Sequence, residues 1–300
     1  MAPEVNHPVE VLDELTPTDR AAVLSLVDRA GAADGIDPLS EHTVLHVSDG
    51  GSNDRSMVVR DPSHPNLVRG FAHLDTADPA GRASGELVVD PAHRGEGIGS
   101  ALVRSLTDSA PDGRLDLWAH GTHPGAEALA KSLGFRRSRV LWQMRRSLSE
   151  PLPAAMLPAG VTVRTFQPGA DDVAWLALNT LAFAHHPEQG LWTAKDLARR
   201  QLQPWFDPAG FFIAERDGRM VGFHWTKIHG DLGEVYVVGV DPREQGGGLG
   251  RALTIIGLEH LRRKGIEQSM LYVDEVNTAA IGVYERLGFT HWLTDIRFSR

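Results

Sequence analysis

In residues 161–300 the spacing of apolar and polar side chains changes period several times, and each change predicts an element. VTVRTF (161–166) alternates, as a half-buried strand does. Asp171 and Asp172 stand where an N-cap belongs before the helical VAWLALNTLAFA (173–184), and Thr193 is placed to cap a second helix, AKDLARRQL. Residues 210–241 read as three strands broken at Asp217-Gly218 and at Gly230 to Gly233, an antiparallel meander. Farther on, Leu249, Leu253 and Ile256 recur at i, i+4 and i+7, giving one apolar helix face. SMLYVD is a strand, TAAIGVYERL a helix ended by Gly288, and HWLTDIRFS a last strand. The order β-α-α-β-β-β-α-β-α-β predicts an α/β fold with a central mixed sheet flanked by helices.

The same order is written twice. VVDPAHRGEGIGSAL (88–102) superposes on GVDPREQGGGLGRAL (239–253) without a gap at an offset of 151, so that Asp90 falls on Asp241 and Gly97 on Gly248. AKSLGF (130–135) superposes on YERLGF (284–289) at an offset of 154. Between the halves, SLSEPLPAAMLPAG (147–160) has three prolines and no periodicity, and reads as a linker. The expected organisation is two tandem domains, 1–146 and 161–300, joined by 147–160.

Composition narrows the function. Of 300 residues, 42% are hydrophobic and 23% charged, as in globular proteins, and no apolar run approaches the ~20 residues a bilayer requires. The N-terminus lacks the basic start and apolar core of a signal peptide, so the expectation is a cytoplasmic protein without membrane contact, and a monomer. With no cysteine there is neither a disulfide framework nor a thiolate ligand or nucleophile. A net charge of −9 argues against nucleic-acid binding, which rewards clustered Lys and Arg. His185-His186 could suggest a metal, but adjacent helical histidines point about 100° apart, and no metal is expected.

A strand, a glycine-rich loop and a helix start form a recurrent anion site, because free N–H groups and the helix dipole converge there. A dinucleotide loop would need glycine where Arg251 and Ser100 stand, and neither half has the G-K-[ST] of a nucleoside-triphosphate loop. What both halves have is Gln/Arg-x-x-Gly-x-Gly: Gln245, Gly246, Gly247, Gly248, Leu249 and Gly250, followed by Arg251; and Arg94, Gly95, Glu96, Gly97, Ile98 and Gly99, followed by Ser100. On these residues the chain resembles the GNAT acyltransferase superfamily, and the resemblance implies that the loops hold the pyrophosphate of acetyl-CoA. It also implies pantetheine contacts from Val238, Gly239 and Val240, and in the first half from Leu87, Val88 and Val89. Asn277 and the helix start Thr278, Ala279, Ala280, Ile281 and Gly282 would lie near the cofactor.

Acetyl transfer to an amine needs a base for the ammonium proton, oxyanion donors and an acid for the leaving thiolate. Tyr284 matches the superfamily's acid, and its counterpart at offset 154 is Ala130. Glu234 opens the strand EVYVVGV as candidate base, acting through water, and its counterpart at offset 151 is Ala83. The second half is therefore expected to be the catalyst. The first would bind a second, non-reacting acetyl-CoA or be structural.

More specifically, FAHHPEQGLWT, WFDPAGFFIAERDG and NTAAIGVYERLGFTHW are similar to the mycothiol synthases, tandem GNAT enzymes of actinobacteria. That resemblance implies a small-molecule acceptor, the cysteinyl amine of desacetylmycothiol. Glu41, Glu188, Lys227, Glu234 and Tyr272 are the residues that would bind it. Trp192, Trp205 and Phe206 read as core or pocket wall. An acetyltransferase for another small amine, such as an aminoglycoside, and a non-catalytic acyl-CoA sensor are the competing readings.

Overall fold

The computed structural model describes residues 7–50, 54–76, 82–184, 186 and 189–300. They form two compact units, one of residues 1–141 with 293–300, the other of residues 142–292.

The first unit runs β1 (Glu10–Leu12), α1 (Pro17–Asp34), α2 (Glu41–Asp49), β2 (Asp54–Arg60), β3 (Val68–Asp75), β4 (Ala83–Val89), α3 (Ile98–Ser109), β5 (Leu115–Ala119), α4 (Pro124–Ser132) and the start of β6 (Arg136–Ser147). β1 to β4 are antiparallel neighbours and β4 pairs parallel with β5. On one face Ile98, Leu102 and Leu106 of α3 pack on Met57, Ala72, Leu74 and Leu115; on the other, Val23 and Leu26 of α1 pack on Val58 and Phe71. α1 starts at a capping box: Thr16 Oγ1 accepts from Asp19 N while the Asp19 carboxylate accepts from Thr16 N.

In the second unit come β7 (Val161–Thr165), α5 (Asp172–Ala182), α6 (Ala194–Gln201), β8 (Phe211–Arg216), β9 (Arg219–His229), β10 (Leu232–Val240), α7 (Leu249–Arg263), β11 (Gln268–Asp274), α8 (Thr278–Arg286) and the start of β12 (Thr290–Ser299). The meander and the element order are those the periodicity predicts. Asp217 and Gly218 turn the first hairpin at φ 51° and 74°. Thr193 caps α6 by a capping box with Asp196. Asp171 precedes α5 but makes no side-chain cap; its carboxylate accepts from Arg164 at 2.6 and 2.8 Å instead. The buried side of α7 takes in Ile255, Leu258 and Leu261 beside Leu249 and Leu253, whereas Ile256 is only half-buried. The helix is covered over more of its circumference than an i, i+4, i+7 stripe suggests. Among the described residues no helix is long and apolar enough to cross a membrane.

The compact units do not divide at the proline-rich stretch. The chain passes from the first to the second within β6, at Leu141/Trp142, and returns within β12, so that Leu293–Arg300 belong to the first unit. There Ile296 to Ser299 pair antiparallel with Asp116 to Ala119 of β5, and Ile296 and Phe298 enter the core. The periodicity reports a strand at HWLTDIRFS but carries no information on which strand it pairs with.

A buried ionic group ties this returning strand in place. His120 Nδ1 lies 3.0 Å from Asp295 Oδ2, its Nε2 3.6 Å from Glu86 Oε1, and Gly121 N donates to Asp295 Oδ1 at 2.8 Å. Burial opposes a charged imidazole, but the two carboxylates outweigh it and raise the His120 pKa to about 10. Because the folded value exceeds the unfolded one, the stabilisation is complete below about pH 6.5 and disappears as pH rises through about 10. The thermal midpoint of the wild type is expected to fall between pH 8 and 10.5 more steeply than that of His120→Gln. The variant, which leaves buried carboxylates without a counter-charge, should lose about 3–5 kcal/mol at pH 7. Parallel melting curves of the two proteins would expose the error.

Candidate functional site

In the second unit the strand–loop–helix segment predicted for anion binding is built by backbone conformation. Gly246 has φ 84° and Gly248, the residue before α7, has φ 83°, both in the left-handed region that disfavours a side chain. A Cβ at either would meet nothing within 4 Å, so the glycines serve the turn and keep the space before it open. No side chain caps α7, which leaves its first-turn N–H groups to a ligand.

The loop is anchored from below by Asp241, which is buried. It accepts from Arg243 N at 2.9 Å, from the Arg243 guanidinium at 3.0 and 2.8 Å, and from Arg219 Nη1 at 2.7 Å. Hydrogen bonds from Arg243, outweighing burial and aided by Arg219, hold its carboxyl far below the usual range. Gln245 turns its amide back to Val240 O at 3.3 Å. The first unit repeats the design: Gly95 and Gly97 at φ 82° and 96°, an uncapped α3, and Asp90 accepting from Ala92 N and Arg29. Its Arg94 is engaged by Asp34 at 2.8 and 2.7 Å. The loop residues Leu249, Gly250, Arg251, Ile98, Gly99 and Ser100 all fall in the first turns of these two helices.

The strand beside the loop forks. β10 runs parallel to β11 only from Leu232 to Glu234, opposite Gln268 to Met270; beyond that it pairs with β9 alone, through a bulge between Val235 and Val237. Val238, Gly239 and Val240 thus lie past the fork, where a ligand arm can replace the missing strand. Gly239 has a packing reason as well, since a Cβ there would stand 2.4 Å from the Phe223 ring. In the first unit β4 leaves β5 after Glu86, and Leu87 to Val89 occupy the same place.

Glu234, buried, sits at the fork itself. Lys227, also buried, is its register partner on β9, and Tyr272 lies two residues beyond Met270, its partner on β11. Strand alternation therefore sets Glu234, Lys227 and Tyr272 on one face of the sheet. The Lys227 ammonium stands 4.9 Å from the Trp205 ring and 5.4 Å from that of Tyr236. Trp192, Trp205 and Phe206 pack against the core of this unit, as a wall does. Asn277 caps α8 through Ala280 N at 3.2 Å, with Thr278, Ala279, Ile281 and Gly282 in its first turns. Farther along α8, Tyr284 packs edge-on to Phe289 at 5.9 Å, and burial pushes its phenol up to about 12. Glu41 opens α2 behind the Ser40 cap in the first unit, and Glu188 lies outside the described residues.

Sequence reasoning missed several neighbours. Tyr236 is the bulge residue, and its hydroxyl accepts from Arg200 Nε at 2.7 Å; Arg200 also lies over the Trp192 ring. Gln143, 129 positions away in sequence, donates to the Tyr272 hydroxyl at 2.9 Å. The alternation of EVYVVGV gives no sign of a bulge, and only the topology brings Gln143 to β11.

The acetyltransferase (GNAT) family model matches residues 175–289, and a model of the acetyltransferase (GNAT) domain matches residues 53–137, one for each copy of the repeat. A mycothiol acetyltransferase of Thermobispora bispora is 55% identical over 95% of this chain and 97% of its own length. The chain belongs to the mycothiol acetyltransferase family. Another such acetyltransferase, of Streptosporangium roseum, is 50% identical over 99% of this chain and 100% of its own. A tandem GNAT protein from the clavulanic acid biosynthesis pathway, 20% identical, shares the fold with a TM-score of 0.74 over 98% of both chains. The chain is accordingly an acyltransferase with two GNAT domains, and acetyl-CoA is the co-substrate of such enzymes.

Since nothing but conformation holds Gly248 to glycine, Gly248→Ala is expected to cost about 1–2 kcal/mol of left-handed strain. It should weaken coenzyme A binding without altering the acceptor KM. Calorimetric titration with coenzyme A would show an unchanged affinity if the loop did not carry the diphosphate.

Proposed function

We propose that the second unit transfers acetyl from acetyl-CoA to the cysteinyl amine of desacetylmycothiol, 1D-myo-inositol 2-(L-cysteinylamino)-2-deoxy-α-D-glucopyranoside, giving mycothiol and coenzyme A. The observation that carries the reading is the fork of β10 from β11 with a buried carboxylate at its apex, next to an uncapped helix start. Near-full-length likeness to mycothiol acetyltransferases supports the acceptor.

In this reading the diphosphate rests on the N–H groups from Gly246 to Arg251, and the pantetheine arm pairs with Val238 to Val240 in place of a strand. The neutral amine attacks the thioester carbonyl. A C–N bond forms, a main-chain N–H past the fork holds the oxyanion, and the C–S bond then breaks with its electrons going to sulfur. The ammonium proton leaves through water to Glu234. Tyr284 donates to the departing thiolate; a phenol near 12 is always in its donor form at working pH, and it regains any proton it passes. Lys227 and Tyr272, on the sheet face of Glu234, bond the sugar and cysteinyl groups, and the family likeness adds Glu41 and Glu188 as acceptor-binding candidates. The chain works as a cytoplasmic monomer on small molecules, and its net charge of −9 gives nucleic-acid phosphate no attraction.

Tyr284→Phe is expected to lower kcat by ~10²–10⁴ with little change in the acetyl-CoA KM. The wild-type kcat should show no ionisation of this phenol up to pH 10, because its raised value keeps it protonated there. The decisive assay offers desacetylmycothiol against a panel of amines, aminoglycosides included. The expected product is one acetyl heavier by mass spectrometry and retains its free thiol; faster turnover of another amine overturns the acceptor, and full activity of Tyr284→Phe overturns the acid.

The first unit, with Ala83 and Ala130 at the equivalent positions, binds a second acetyl-CoA without turning it over. Gly97→Glu should remove one of two acetyl-CoA sites in calorimetry, and an unchanged stoichiometry refutes binding there.

A further inference from the structure

The first unit contains a group of side chains that neither the acetyl-transfer chemistry nor the packing explains. β2 and β3 pair with Asp54 opposite Asp75 and Ser56 opposite His73, so Asp54, His73 and Asp75 share a sheet face. Over them lies α2, whose His42 and His46 are four residues apart and therefore on one helix face, their rings 4.2 Å apart. His46 Nδ1 stands 2.5 Å from Asp54 Oδ2, and His73 Nε2 stands 3.6 Å from the same oxygen. His73 is 3% exposed and the side chains of His46 and Asp54 about a tenth. Yet none of these three atoms has a hydrogen-bond partner of good geometry. The three atoms meet as ion pairs whose geometry is poor for hydrogen bonding, and their convergence on one buried point is what a ligand answers.

We propose that His46, Asp54 and His73 bind a divalent transition-metal ion of the zinc class. Two imidazole nitrogens and one carboxylate oxygen are a donor set for zinc, cobalt, nickel or copper, and a poor one for magnesium or calcium, which take oxygen ligands. All three donor atoms lie within 4.8 Å of one another. A tetrahedral ion with bonds of about 2.0–2.1 Å sets its donors roughly 3.3 Å apart, between the two separations seen here. His42 and Asp75, joined at 2.9 Å, lie at the more exposed side, where they would border an open fourth position. Asp54 supplies the carboxylate oxygen that completes the donor set of the two imidazoles. No step of acetyl transfer runs through this ion. Its effect is to tie α2, whose first residue is Glu41, to the β2–β3 hairpin. The proposal departs from the expectation of no metal, which rested on the lack of cysteine and on the geometry of His185-His186. Only His46 comes from α2; Asp54 and His73 are supplied by the hairpin, and no sequence spacing joins the three.

The test uses the full chain without an affinity tag, stripped with a chelator that is then removed. Titration with cobalt(II) is expected to give one equivalent of visible d–d absorption per chain, displaced by zinc and unaffected by excess magnesium. Zinc should raise the thermal midpoint. Asp54→Asn and His73→Gln, checked for native circular dichroism, should lose at least ~100-fold in affinity and the zinc-dependent shift. Absence of stoichiometric cobalt or zinc binding to the wild type overturns the proposal and leaves the cluster a proton-sharing ion pair. Binding undiminished in both variants overturns it equally, since the ion would then sit elsewhere. Acetyl transfer enters neither outcome, so the proposed function stands or falls separately.

Discussion

Among the described residues no side chain caps the start of α7, and the loop before it is built to leave those main-chain amides accessible. A helix start satisfied by a serine or aspartate would be more stable by itself, commonly by about 1 kcal/mol. Here Gly248, in the left-handed region, gives up that cap, and stability is restored one layer below, where Asp241 gathers Arg243 and Arg219 under the loop. An anion at the helix start then meets several aligned N–H groups that need no reorganisation. The carboxylate of Asp241 is spent on its own arginines and does not repel the anion. A site that owes so little to side-chain charge can exist on a chain with a net charge of −9.

The two copies keep the uncapped helix start and differ in what surrounds the fork. In the second unit the fork ends on Glu234. In the first it ends on Glu86, a carboxylate that offsets between the repeats do not point to, because Ala83 is the counterpart of Glu234. Glu86 is no base. Burial would raise its pKa, but His120 and the Ser40 amide, 2.7 Å away, hold it down at about 2. On the helix that follows, Ala130 is a buried core residue where the second unit has a phenol. A carboxylate at the fork is thus common to both units, and what differs is whether the surrounding protein has already used it.

Much of this was legible in the chain. Alternation and helical period located the α-helices and strands of residues 161–300, though not its short 3-10 turns, and the glycines at 246 and 248 marked a turn with φ above zero. Three things were not legible, each for a physical reason. Leu293 to Arg300 read as a strand, but a strand's pattern specifies its buried face and not its neighbour, so their membership of the first unit was invisible. The bulge at Tyr236 leaves the residue types of a regular strand unchanged. The approach of Gln143 to Tyr272, and of His46 to Asp54 and His73, depends on topology alone; no local pattern records which distant polar groups will share a face.

The environment of Glu234 bears on how an amine is made nucleophilic. Free alkylamines are protonated near neutrality, and a carboxylate is too weak a base to remove that proton unaided. On the proposed reading the fork supplies help of two kinds. Lys227, opposite Glu234 in register and held against Trp205 and Tyr236, adds positive charge on the same sheet face, which disfavours a second ammonium beside it. Trp205, whose ring lies 4.9 Å from the Lys227 ammonium, is an apolar neighbour on that face, and desolvation also favours the neutral amine. With the acceptor's pKa lowered by its surroundings, Glu234 need only collect a proton through water as the C–N bond forms and the nitrogen grows acidic. On the proposed reading, the cation on β9 does as much for the nucleophile as the carboxylate on β10. A lysine in an acetyltransferase site then has a reason to be there besides binding the acceptor.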